Sequence, residues 1–99
     1  MRVHNTARYR VREDATQATL EAIGTFVATV RAREPGTLMY VAWQERVDPT
    51  AFVHTMTFED EAAEEAHSGS EWVRAFTDVV YPLTVDGVTF TGYDEVASA

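Results

Sequence analysis

The apolar residues repeat at every second position from Val3 to Val11, then at every third or fourth from Leu20 to Val30. Change of period from two to 3.6 and back, along the whole chain, is the feature that most constrains its fold. Over the first stretch Val3, Asn5, Ala7, Tyr9 and Val11 share one face, while His4, Thr6, Arg8 and Arg10 share the other. That pattern predicts a strand with a core side and a polar side. Asp14, with Gln17 three residues on, resembles a capping box, and Leu20, Ile23, Val27 and Val30 follow at helical spacing with Phe26 widening the stripe. A helix is expected from Ala15 to about Arg33, stopped by Glu34-Pro35-Gly36.

Thr37 to Arg46 reads as a second strand that is apolar on both sides: Leu38, Tyr40 and Ala42 on one, Met39, Val41 and Trp43 on the other. A strand of this kind is buried on both faces. Val47-Asp48-Pro49-Thr50 reverses the chain into a third strand, Phe52 to Phe58, and the two strands are expected to form a hairpin. Asp60 to His67 reads as a short helix broken by Ser68-Gly69-Ser70. Ser68 with Glu71 is a capping pair for the next helix, whose stripe is Trp72, Val73, Phe76, Val79 and Val80. Tyr81-Pro82 ends it, Asp86-Gly87 is read as a turn, and Val88 to Tyr93 alternates as a last strand.

The order β-α-β-β-α-β defines an α+β, ferredoxin-like arrangement: an antiparallel sheet with helices on one face. With 99 residues, the chain is expected to be one domain over 1–99. Met39, Val41 and Trp43 then fall on the face without helices, which a lone copy would leave wet. Two sheets closing face to face in a homodimer, a dimeric α/β barrel, would cover them. Arg8, Arg10 and Arg12 alternate on that same face and could meet carboxylates of the partner.

Charge and composition remove several partners. A net charge of −8 argues against nucleic acid, whose phosphates need a basic surface. No apolar run approaches the roughly 18 residues of a membrane span, and the first residues lack a signal-peptide apolar stretch, so no membrane association is expected. Cysteine is absent, which excludes thiolate chemistry and fits a reducing cytoplasm. His54 is a single strand histidine with no paired ligand spacing, so no metal site is expected there, and a packed, hydrogen-bonded imidazole is its plain role. The acidic residues Glu61, Glu64 and Glu65 are expected on a solvated helix face.

Particular residues add a resemblance. Ala7-Arg8-Tyr9-Arg10-Val11, Glu34-Pro35-Gly36-Thr37-Leu38 leading to Tyr40, Phe52-Val53, Phe58-Glu59-Asp60, Glu65-Ala66-His67 with Ser70, Arg74-Ala75-Phe76 and Pro82-Leu83 together resemble the antibiotic biosynthesis monooxygenases, which include quinol monooxygenases. The resemblance implies a dimeric α/β barrel with a pocket between sheet and helices. It also implies a monooxygenase that oxidises a quinol, anthrone or related small aromatic with O2 and no metal or organic cofactor. In such chemistry the protein deprotonates the substrate, and the electron-rich anion itself reduces oxygen.

By the same resemblance His67 stands where the family's Glu-Ala-His motif carries its histidine, and it is the candidate base or anion holder. Its plainer role is to complement the helix C-terminus. Quinol-type members often carry a second histidine five residues later, where this chain has Trp72. Core filling is the plainer role for Trp72, stacking on a flat substrate the functional one. Asn5, Tyr40 and Tyr81 are secondary substrate-binding candidates through their amide and hydroxyl groups, with Tyr9 a further hydroxyl. The haem-degrading branch uses an Asn, a Trp and a His that would fall on Ala7, His67 and Thr77, so haem degradation is not expected. Two other functions fit the same pocket: an isomerase or cyclase that moves a proton without O2, and a non-catalytic ligand-binding accessory protein.

Overall fold

The computed structural model describes all 99 residues. Its strands are β1 (Val3–Val11), β2 (Thr37–Gln44), β3 (Ala51–Phe58) and β4 (Thr84–Tyr93); its helices are α1 (Thr16–Arg33), α2 (Glu61–Ser68) and α3 (Glu71–Val80). Short 3-10 turns at Glu13–Ala15 and Tyr81–Leu83 precede α1 and follow α3. The strands form one antiparallel sheet in the order β2-β3-β1-β4. This is the α+β, ferredoxin-like fold that the alternation of periods predicts. No helix is long and apolar enough to cross a membrane.

β1 is central because both its edges are paired, to β3 and to β4. Its inward residues Ala7, Tyr9 and Val11 are buried, as the two-residue period requires. Tyr9 stacks on Phe52 of β3 with ring centroids 5.5 Å apart, and Phe26 of α1 stacks on Phe76 of α3 at 4.6 Å. These rings, with Ile23, Val30 and Val80, join the helices to the inner face of the sheet. On the outer face Met39 and Trp43 are exposed, as their strand positions predict.

Local structure departs from expectation where a distant contact overrides a local signal. α1 begins on the 3-10 turn without a side-chain cap, so Asp14 and Gln17 form no capping box. Its buried stripe runs through Thr19, Ile23, Phe26 and Val30, leaving Leu20 at the surface; Thr19 is tolerated inside because its hydroxyl donates to the Ala15 carbonyl. Ser70, not Ser68, caps α3, its Oγ accepting from the Val73 N–H. Asp86 and Gly87 are not a turn before the last strand. They form a bulge inside β4, both with positive φ, where the register with β1 jumps from Tyr9–Val88 to Arg10–Val85. A second irregularity at Thr37–Met39 turns Leu38 out to solvent, although it was expected beside Tyr40. β2 also ends at Gln44, where the chain leaves for the Asp48 turn.

Candidate functional site

A cavity of about 490 Å³ lies between the inner face of the sheet and the helices. The strands contribute Tyr9, Tyr40 and His54 to its wall, the helices Phe26, His67 and Phe76. Its size falls within the range of small-molecule sites, and a wall that sets Phe and Tyr rings beside His, Asn, Glu, Ser and Thr side chains suits a flat ring carrying polar atoms.

One polar cluster begins at the end of α1. Glu34 is the C-cap residue, and there the backbone leaves helical geometry at φ −121°, ψ 82°. Its carboxylate turns inward, leaving the side chain 6% exposed. It accepts hydrogen bonds from the Thr37 hydroxyl and the Trp72 indole N–H, and both carboxylate oxygens lie 2.9 Å from Nδ1 of His67. α2 can bring His67 this close because Gly36 leaves room for it: a Cβ at Gly36 would sit 2.7 Å from the Cβ of Ala63. The last turn of α2 therefore points His67 inward, against Phe26, Tyr40 and Phe58.

Glu34 fixes the tautomer of His67. A carboxylate can only accept, so Nδ1 carries the hydrogen, and in the neutral ring Nε2 is left with its lone pair. Nε2 has no partner in the protein, and since no buried side-chain nitrogen or oxygen is left unsatisfied it keeps accessible surface, on a residue that lines the cavity. Carboxylate, oriented imidazole and open nitrogen make up the arrangement of a general base.

The second cluster is Tyr9, His54 and Tyr40. His54 is 1% exposed, and each ring nitrogen meets a phenol: Nε2 the Tyr9 hydroxyl at 2.8 Å, Nδ1 the Tyr40 hydroxyl at 2.7 Å. Burial, with a smaller contribution from His67, lowers the His54 pKa to about 4, so the ring is neutral at pH 7. Burial likewise raises both tyrosines above their ordinary value, and neither ionises near neutrality.

Of the sequence-derived candidates, His67, Asn5, Tyr40 and Tyr81 all line the cavity. The Asn5 amide donates to the Glu64 carboxylate, so Glu64 also faces the cavity instead of standing on a wholly solvated face as expected. Trp72 is not part of the cavity wall. Its ring packs on the far side of the Glu34 cluster, with the Arg33 guanidinium 5.2 Å from its centroid, and its indole N–H holds Glu34. The structure thus places Trp72, expected as a substrate-stacking candidate, against Glu34 and outside the residues that line this cavity. Glu34 carries no signal of this in sequence, since Glu34-Pro35-Gly36 is fully explained as a helix stop. His54 carries one: an imidazole on the apolar side of an alternating strand needs buried partners, and two tyrosines supply them. No three His, Asp or Glu side chains converge on a point that could hold a metal ion.

Fold and site together define a ferredoxin-like protein with a cavity between sheet and helices and an imidazole held by a carboxylate on its wall. Residues 2–79 match the antibiotic biosynthesis monooxygenase family, and the chain belongs to that family. Among solved structures it resembles an antibiotic biosynthesis monooxygenase with 22% identity and a TM-score of 0.90, covering 96% of this chain and 99% of that one. It also resembles Rv0793 from Mycobacterium tuberculosis, with 22% identity, a TM-score of 0.89 and coverage of 100% and 99%. A third similar structure is SO0527 from Shewanella oneidensis, with 23% identity, a TM-score of 0.83 and coverage of 93% and 88%. No curated protein matches the chain in sequence.

Proposed function

We propose that residues 1–99 act as a single-domain, cofactor-independent monooxygenase on a quinol, anthrone or related small aromatic, with His67 as the base. The observation that carries this reading is the open Nε2 of His67 on an aromatic cavity, with Nδ1 held by Glu34. A flat ring enters the cavity whose wall includes Tyr9, Tyr40 and His67. Nε2 takes a proton from an acidic C–H or O–H, and Glu34 stabilises the imidazolium that forms. For an anthrone the resulting carbanion passes its electrons to O2, a C–O bond forms, and the peroxide loses water. The balance is one CH2 and one O2 to one C=O and one H2O. Asn5, Tyr40 and Tyr81 supply polar contacts to the substrate, and Trp72 positions Glu34.

The same reading includes a cytoplasmic homodimer. Met39 and Trp43 are 41% and 55% exposed on the sheet face opposite the helices, a surface that a second sheet would cover.

Oxygen uptake with a panel of anthrones and hydroquinones, in the presence of chelator, tests the chemistry. Wild-type uptake should track protein concentration, and His67→Ala should lower it about a hundredfold, the usual size of a general-base contribution. Uptake unchanged in the variant removes His67 from the reaction. Turnover without oxygen consumption would instead support an isomerase or cyclase, which needs the same base. Binding of these compounds without any turnover would support an accessory ligand-binding protein.

A further inference from the structure

The Tyr9–His54–Tyr40 chain contains more hydrogens than it can use. Each phenol brings one hydrogen and the neutral imidazole brings one, three in all. The chain contains two hydrogen bonds, Tyr9 to Nε2 and Tyr40 to Nδ1, and neither hydroxyl has another partner in the protein. Each bond consumes one hydrogen. In one imidazole tautomer Tyr9 donates to Nε2, Nδ1–H donates to Tyr40, and the Tyr40 hydrogen is left over. In the other tautomer the pattern reverses and the Tyr9 hydrogen is left over. Both tyrosines line the cavity beside His54, which is 1% exposed and has both ring nitrogens taken up by them.

We propose that this chain always presents one phenolic O–H to the cavity, and that the site therefore selects flat aromatic ligands bearing a carbonyl or other acceptor oxygen over hydrocarbons of the same shape. The proposal rests on the cavity being the ligand site, and it names the substrate class of the reaction above: a ring system whose oxygen gains negative charge as a proton is lost elsewhere. A fixed donor aimed at that oxygen is worth most when the charge develops, because the cavity is largely apolar. No proton leaves the phenols in this role, in keeping with burial that holds both tyrosines neutral.

The probes are 9-fluorenone and fluorene, flat tricycles that differ by C=O against CH2. Their binding to the full chain is measured by calorimetry and normalised to their partition between water and hexadecane. The infrared carbonyl stretch of bound fluorenone is the second readout. Wild type should bind the ketone about tenfold tighter on this scale. Its carbonyl stretch should fall below the value in hexane. Tyr9→Phe and Tyr40→Phe should each keep the lowered stretch, since each removes one hydrogen and one bond and so leaves the surplus unchanged. The double variant should lose both the preference and the shift. Equal normalised binding with an unshifted stretch in wild type would overturn the donor while leaving the aromatic-cavity reading in place. Failure of both probes to bind would overturn the two together. If the double variant does not fold, the wild-type stretch decides the matter alone.

Discussion

Nδ1 of His67 lies 2.9 Å from both carboxylate oxygens of Glu34, although the two residues are separated by all of β2, all of β3 and most of α2. The pairing joins the end of the long helix to the end of the shortest one. It also explains two features that look unrelated in the sequence: the absence of a side chain at Gly36, which admits α2, and the tryptophan at 72, whose N–H completes the carboxylate's partners.

Replacing Glu34 with Gln keeps the volume but removes the negative charge that stabilises protonated His67. The expected result is a kcat lower by about ten- to a hundredfold with KM changed little, the range found for partners that orient a functional imidazole. Steady-state oxygen uptake measures both constants. A rise in KM with kcat intact would assign Glu34 to ligand binding instead.

His54 makes stability depend on pH. Its folded pKa is lowered to about 4 from an ordinary 6.5, so the unfolded chain binds more protons between those values. Stability from this group is complete above about pH 6.5 and is lost as pH falls towards 4. The loss amounts to about 3 kcal/mol by linkage. Urea unfolding of wild type and His54→Gln at pH 7, 5.5 and 4.5 isolates it: the difference in stability between the two should shrink steadily with acidification. A constant difference would mean that the ring titrates alike in the folded and the unfolded chain.

Gly36→Ala should destabilise the fold by about 1–3 kcal/mol through overpacking. Its new methyl would meet Ala63 Cβ at 2.7 Å and the Glu59 carboxylate at 3.3 Å. Neither backbone can retreat without moving α2, so His67 should leave Glu34 and activity should fall as well. Chemical denaturation measures the first effect; a full-activity variant with unaltered stability would show that α2 shifts freely.

Trp43 offers the sharpest test of the dimer. Light scattering at micromolar concentration should give twice the chain mass for wild type and the single-chain mass for Trp43→Glu, which places a charge on the outer sheet face. A single-chain mass for wild type would leave the outer face of the sheet solvent-exposed and remove the dimer from the proposed function.

The sequence by itself determined the order of elements and the inward and outward faces of the strands. Tyr9, Tyr40 and Trp43 stand on the sides that their alternation assigns. Side-chain period is a local property of the backbone, so it survives whatever the rest of the chain does. His67 was legible only as a position, through a family motif, and the direction of its ring was not. Tertiary structure decided the remainder. It set the phase of α1, where burial of Thr19 in place of Leu20 depends on what α1 packs against. It set the bulges at Leu38 and Asp86-Gly87, which depend on the register with neighbouring strands. It brought Glu34 to His67, His54 between two tyrosines, and Trp72 to the back of the site. The contacts that build the site join residues 14 to 45 positions apart in the chain, the register of β1 with β4 joins residues farther apart still, and no local pattern encodes a partner at that distance.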